Sequence, residues 1–99
     1  MEIHEITQLL LNAKTNNIAI VDVRTYAERE QIFIPNTLHI PIDDLESKID
    51  DLKGFDKVYF FCKAGVRAGF ALQIAQNYKI DSVAINNSIF EIHLASQNI

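Results

Sequence analysis

Two short, nearly continuous apolar runs constrain the fold of this chain more than any other feature. Residues 18–23 are Ile-Ala-Ile-Val-Asp-Val, and residues 57–61 are Lys-Val-Tyr-Phe-Phe. Short runs that are rich in β-branched or aromatic residues and apolar on both faces are typical of strands inside a parallel sheet. A third, shorter run at 83–85 predicts another strand of this kind.

Helical patterns lie between these runs. Apolar residues recur at helical spacing, and Ser88 with Glu91 forms the pattern of a capping box. Because strands alternate with helices, we predict an α/β fold with a parallel sheet, formed by one domain over residues 1–99. The predicted helical segments are 3–13, 25–31, 42–52, 66–78 and one that begins at Ser88.

Two of these helices carry finer predictions. In the helix over 42–52, Asp43 and Glu46 are placed as an N-terminal cap and its partner. In the helix over 66–78, the spacing predicts a buried face that includes Phe70. The other members of that buried face are Ala71, Ile74 and Ala75.

Composition excludes several classes of protein. The net charge of −4 provides no broad basic surface for nucleic acid, and no apolar stretch is long enough to span a membrane. The lone Cys62 cannot form an internal disulfide, and the N-terminal residues lack a secretory signal, so we expect a cytoplasmic location. His4, His39 and His93 lack the short paired spacings of a zinc site, so no metal is expected.

The second apolar run ends directly at Cys62. A loop that leads from a strand into a helix can direct its backbone N–H groups at one point, and the helix adds the positive end of its dipole. Lys63 and Arg67 add two cations, and Gly65 can adopt the positive φ that a tight loop needs. These features favour a thiolate, so we predict that Cys62 is a nucleophile for an anion rather than a structural core cysteine.

Three segments carry a family resemblance. Residues 62–68, Cys-Lys-Ala-Gly-Val-Arg-Ala, resemble the active-site loop of rhodanese-type sulfurtransferases, Cys-x-x-Gly-x-Arg followed by a small residue. Residues 21–28 resemble the Asp-Val-Arg strand end of that family and the acidic residue after it. Two Ile-Pro dipeptides, beginning at Ile34 and Ile40, match a pair in the family. Order and spacing agree, so the resemblance runs from about Ile3 to the end.

The resemblance implies a fold and a reaction. The fold is a three-layer rhodanese-like arrangement, with helices on both faces of a mainly parallel sheet. In the reaction, Cys62 takes a sulfane sulfur from a small anionic donor such as thiosulfate and holds it as a persulfide. The sulfur then passes to a thiol, to cyanide or to a protein cysteine, and no cofactor is implied.

The resemblance also assigns residues. Cys62 and Arg67 are implied to be catalytic, with Arg67 mainly shaping the loop and partly attracting the donor. Lys63 either steers the donor or is a solvated lysine. Arg24 is expected to form structural ion pairs. The implied substrate-binding loop consists of Lys63, Ala64, Gly65, Val66, Arg67 and Ala68, and the implied structural support consists of Asp22, Arg24 and Glu28.

Several residues depart from the family pattern. Ala64 and Ala68 stand where many relatives have hydroxyl residues, which predicts slow turnover of thiosulfate. Ile32 and Phe33 replace a Gly-His pair. With Phe90 they could form an exposed apolar patch for a partner, but we expect all three side chains to pack inward.

Two other functions compete with sulfur transfer. A phosphatase or arsenate reductase would also surround an oxyanion with a cysteine and an arginine. Four residues separate Cys62 from Arg67, whereas the related phosphatase loops have five, so the loop here is better sized for one sulfur atom. A non-catalytic rhodanese-fold module that binds a partner or carries sulfur is the stronger alternative.

Overall fold

A parallel sheet of four strands lies at the centre of the computed structural model, which describes residues 1–99. The order across the sheet is β2-β1-β3-β4. Strand β1 pairs with β3 along its whole length and with β2 at only two positions, so the two longer apolar runs form the central strands. The strands are β1 (Ile18–Asp22), β2 (Leu38–His39), β3 (Lys57–Phe61) and β4 (Ser82–Ala84).

Four α-helices and two 3₁₀ segments surround this sheet. None of the helices combines the length and the apolar character needed to cross a membrane. The α-helices are α1 (Ile3–Asn12), α2 (Tyr26–Gln31), α3 (Val66–Asn77) and α4 (Ile89–Ser96). The 3₁₀ segments are Ile42–Asp44 and Glu46–Leu52.

Alternating side chains along the central strands divide the core into two parts. Val21 and Phe60 pack on one face with α3 and the 3₁₀ segments, whereas Ile20 and Phe61 pack on the other with α1 and α4. Each of these four side chains is buried. Because both faces are covered, consecutive strand residues are apolar. This arrangement confirms the predicted α/β fold with helices on both faces of a parallel sheet.

The edge strand β2 is not predicted by the sequence pattern. It consists of Leu38, which is exposed, and His39, which is half-buried, so it has no apolar run and no measurable period. The strand exists because the chain returns beside β1, where Leu38 and His39 pair with Val21 and Asp22. Tertiary pairing alone therefore creates this element.

The predicted α-helix over 42–52 is wrong in type, and its predicted cap is wrong as well. No side chain caps either 3₁₀ segment, so Asp43 and Glu46 do not have the expected roles. The first N–H groups of the segment already have backbone partners. The N–H of Ile42 donates to the carbonyl of Val23, and the N–H of Asp44 donates to the carbonyl of Pro41. The N–H groups of Leu45 and Lys48 bond to the carbonyls three residues earlier, at Ile42 and Leu45, which is the hydrogen-bond pattern of a 3₁₀ helix.

The prediction of a buried Phe70 is also wrong, since 56% of its surface is exposed. Helix α3 meets the sheet through Ala68, Ala71 and Ala75, all fully buried. These small residues form the buried face of the helix, and Phe70 lies outside that face. Ile74 is half-buried at the margin of this contact.

Candidate active site

Cys62 lies directly after β3, at the carboxyl end of the sheet, and α3 begins only four residues later. Gly65 caps α3 with φ at 101°, a value that residues with a Cβ rarely adopt. A Cβ at this position would also lie 3.4 Å from the Cα of Asn86. The positive φ therefore favours glycine at this position, and the resulting turn directs the loop back over Cys62.

Two backbone groups donate to the sulfur of Cys62. The N–H of Gly65 lies 3.0 Å from Sγ, and the N–H of Ala68, in the first turn of α3, lies 3.4 Å from it. The Cys62 residue is only 1% exposed and packs with the core between the sheet and α3. Amide donors at a helix N-terminus stabilise negative charge. The arrangement can therefore hold an anionic sulfur in an otherwise apolar setting.

The remaining residues of the loop face outward. Lys63, Ala64 and Val66 are exposed, and the side chain of Lys63 forms no ion pair. The backbone carbonyl of Lys63 accepts a hydrogen bond from the N–H of Ile89, at 2.9 Å. This bond ties the loop to the start of α4, a contact that no sequence pattern indicates.

Arg67 is bound to Glu28 rather than left free. Its two terminal nitrogens lie 2.6 and 2.8 Å from the two carboxylate oxygens of Glu28. Glu28 also accepts from the N–H and the hydroxyl of Thr25. The hydrogen bond from Arg67 is the main cause that lowers the pKa of Glu28 to about 2, and the same bond raises the pKa of Arg67. The pair joins the Cys62 loop to α2.

Asp22 and Arg24 form a separate buried pair. The Nε of Arg24 lies 3.0 Å from Oδ1 of Asp22, and the Nη2 of Arg24 lies 2.9 Å from Oδ2. Both side chains are almost completely buried. Arg29 donates to Asp22 as well, at 3.2 Å. Arg24 also donates to the carbonyls of Glu28 and Ile32. Arg29 is absent from the predicted support residues because its contact depends on how α2 folds back toward β1.

A cleft of ≈ 220 Å³ borders the Cys62 loop. Lys63 lines it from the loop, and Ile32 and Phe90 line it from the end of α2 and the start of α4. The predicted inward packing is wrong for Phe33 and Phe90, which are 56% and 65% exposed. Phe33 lies under the guanidinium of Arg29, and Phe90 lies off the buried stripe of α4. Ile32 is half-buried and packs against the core.

A larger and more open cleft of ≈ 460 Å³ contains no residue of the Cys62 loop. Tyr26, Phe33 and His39 line it, and the rings of Tyr26 and His39 meet edge to face. The Nε2 of His39 lies 2.8 Å from the carbonyl oxygen of Arg24, which makes it the protonated nitrogen of the ring. No group of three His, Cys, Asp or Glu side chains has an arrangement that could hold a metal ion.

Comparison with known proteins places this geometry in a family. The sequence profile of the Rhodanese-like domain matches residues 5–93. Over 71 residues the chain is 31% identical to the "Putative sulfurtransferase YtwF" of Bacillus subtilis, and the match covers 69% of each protein. Over 55 residues it is 34% identical to the "Putative sulfur carrier protein YrkF" of the same organism. That match covers 56% of this chain and only 30% of YrkF.

A solved structure agrees with the sequence comparison. The rhodanese-like domain protein from Staphylococcus aureus superimposes with a TM-score of 0.74 at 27% sequence identity. The match covers 87% of this chain and 86% of that protein. The family profile and the fold agree, and the chain belongs to the rhodanese-like domain family.

Proposed function

We propose that this protein is a sulfurtransferase that carries sulfane sulfur as a persulfide on Cys62. The observation that carries the proposal is the position of Sγ, within hydrogen-bonding distance of the Gly65 and Ala68 N–H groups at the start of α3. A general role in sulfur transfer has further support from the family and from the names of the relatives YtwF and YrkF. A donor such as thiosulfate and an acceptor such as a thiol, cyanide or a protein cysteine complete the proposed reaction.

The first half-reaction forms the persulfide. The Cys62 thiolate attacks the sulfane sulfur of thiosulfate, a new S–S bond forms, and the old S–S bond breaks with sulfite as the leaving group. The negative charge then lies on the terminal sulfur of the persulfide. The first N–H groups of α3 have no acceptor within the helix, so they can stabilise that charge as oxyanion-hole donors do.

The second half-reaction returns Cys62 to its starting state. An acceptor thiolate or cyanide attacks the terminal sulfur, and the S–S bond to Cys62 breaks to release the thiolate. Sulfur moves with no net transfer of electrons to the protein, so the proposed cycle needs no redox cofactor. A reducing compartment such as the cytoplasm suits it, because the resting protein requires a free thiol.

In this proposal the charged residues position the loop rather than react. Arg67 already donates two hydrogen bonds to the carboxylate of Glu28, and this pairing orients the guanidinium and neutralises much of its charge. The same contact argues against a phosphatase, since Arg67 would have to leave Glu28 to bind the oxygens of a phosphate. Asp22 and Arg24 support the segment that presents Glu28.

Intact-protein mass spectrometry after incubation with thiosulfate tests the proposal. Wild-type protein is expected to gain one sulfur atom, the Cys62→Ser variant to gain none, and cyanide or a thiol to remove the added sulfur. The serine variant is a close control because it removes the sulfur nucleophile and little volume.

The outcomes separate the sulfurtransferase from its alternative. A persulfide that forms on Cys62 but is not passed to cyanide or a thiol would favour a sulfur carrier, as the relative YrkF is named. If neither thiosulfate nor glutathione persulfide adds sulfur to Cys62, the sulfurtransferase proposal is wrong, and a non-catalytic binding module remains.

A further inference from the structure

The cleft beside the Cys62 loop has one apolar wall. Ile32, Ile89 and Phe90 form this wall, and Phe90 leaves 65% of its surface exposed. The family pattern has a Gly-His pair where this chain has Ile32 and Phe33. An apolar group that binds against this exposed ring and branched side chain removes apolar surface from water, which lowers the free energy of the system.

The other residues that line the cleft are polar or charged, and most of their charge is already neutralised. Arg24 is paired with Asp22, and Glu28 is paired with Arg67. Lys63 is the remaining cation of the cleft, and its exposed ammonium group forms no ion pair. The cleft therefore offers one free positive charge together with an apolar surface.

The direction of the reaction determines what occupies this cleft. A thiolate attacks a sulfane sulfur in line with the bond that breaks, so the leaving group points away from Cys62. Cys62 itself is 1% exposed and therefore admits little more than the transferred sulfur atom. The leaving group must then remain outside the loop, where Lys63 borders the cleft.

Sulfite and an organic thiolate differ as occupants of this space. Sulfite is a small, strongly hydrated anion that can pair with Lys63, but it has no apolar part to cover Ile32 and Phe90 and loses water against them. An organic thiolate with a short hydrocarbon body covers the same wall favourably. At ≈ 220 Å³ the cleft is smaller than the roughly 300 Å³ at which drug-sized pockets begin, which limits the body to a few heavy atoms.

We propose that this cleft is a subsite for the organic body of the sulfur donor, and that the preferred donor is a small organic persulfide with one acidic group. The inference rests on the proposed persulfide chemistry of Cys62. Its thiolate attacks the outer sulfur of R–S–S⁻, the S–S bond of the donor breaks, and R–S⁻ leaves and takes a proton from water. Ile32 and Phe90 then contact R, and Lys63 pairs with its carboxylate.

The test compares two donors on three proteins. Rates of persulfide formation on Cys62 are measured by mass spectrometry with thiosulfate and with the persulfide of 3-mercaptopropionate, for wild type, Phe90→Ala and Phe70→Ala. The last variant is a matched control, because Phe70 is also an exposed phenylalanine and lies outside the cleft. Wild type is expected to prefer the organic persulfide.

Phe90→Ala is expected to lower the ratio of the organic rate to the thiosulfate rate by about tenfold, the lower end of the effect of one lost apolar contact in a pocket. Phe70→Ala is expected to leave the ratio at the wild-type value. For Lys63→Gln, the rate with 3-mercaptopropionate persulfide should fall more than the rate with the uncharged persulfide of 2-mercaptoethanol.

An unchanged ratio in Phe90→Ala, with both donors still active, would overturn the subsite and leave the sulfurtransferase proposal intact. Equal slowing with both donors would also overturn it, since that result indicates a general effect on the loop. If neither donor adds sulfur to wild-type Cys62, both proposals fail together.

Discussion

Glu28 joins two parts of the molecule through a single carboxylate. Its oxygens accept from Arg67, in the first turn of α3 beside the Cys62 loop, and from Thr25, the N-cap of α2. Thr25 returns the contact, because its hydroxyl accepts from the N–H of Glu28 and completes a capping box. One residue therefore stabilises the first turn of α2 and the orientation of Arg67 at the same time.

Glu28→Gln is expected to reduce the free energy of unfolding by about 1 to 2 kcal/mol at pH 7, a value discounted for the partial exposure of the pair. The pKa of Glu28 is about 2 in the folded protein, against 4.5 without the fold. Because the pKa of Glu28 is lower in the folded protein, the unfolded state takes up the proton at a higher pH than the folded state does. The stabilisation is thus complete above pH 4.5 and is lost as pH falls toward 2.

Urea denaturation of both proteins between pH 7 and pH 3 measures this difference. Glu30→Gln is the control, because Glu30 lies on the same helix, is exposed and forms no ion pair. A difference between wild type and Glu28→Gln that stays constant below pH 4.5 would contradict the assigned pairing.

Helix α3 is bounded at both ends by residues with positive φ. Gly65 begins it at 101°, and Lys79 follows it at 60°. The N–H of Lys79 bonds to the carbonyl of Gln76, and that of Ile80 bonds to the carbonyl of Ala75. This is the Schellman pattern of a helix C-terminus, in which the residue with positive φ is usually glycine.

Lys79→Gly is expected to increase the free energy of unfolding by about 0.5 to 1 kcal/mol, because glycine removes the steric cost of a Cβ at positive φ. Thermal or urea denaturation measures the change. Lys79→Ala is the matched control, since it removes the charge and keeps the Cβ. If the alanine variant is stabilised as much as the glycine variant, charge rather than backbone conformation is responsible.

At the scale of the whole molecule, Asp22 connects the sheet to the segment that carries Glu28. It ends β1, it is fully buried, and it accepts from both Arg24 and Arg29. Arg29 in turn donates to Thr37, just before β2. The group therefore holds α2 and the edge strand against the centre of the sheet.

Asp22→Asn is expected to cost about 3 to 5 kcal/mol, because it leaves the buried charge of Arg24 without a counter-charge. The loss is measured as a lower midpoint in urea denaturation. Asp51→Asn, at an exposed and unpaired position, is expected to change stability by no more than about 0.5 kcal/mol. Equal effects of the two substitutions would show that the buried pair has no special role.

Sequence alone was sufficient for the strands β1, β3 and β4, for the fold class and for the position of Cys62 at the end of β3. An apolar run such as 57–61 can be satisfied only by burial on both faces, and the chain leaves the sheet where that run stops. Gly65 was likewise recognisable, because its positive φ is a local property of the backbone. These features depend on residues that are neighbours in the sequence.

Tertiary structure decided the partners and the exposed faces. Arg67 pairs with Glu28, which is 39 residues away in the sequence, and the carbonyl of Lys63 accepts from the N–H of Ile89. No local sequence pattern indicates either contact. Phe70 and Phe90 are apolar yet exposed, because the alanines of α3 and the isoleucines of α4 set which face each helix buries. The local sequence pattern located Cys62 at the end of β3, and long-range packing shaped the cleft beside its loop.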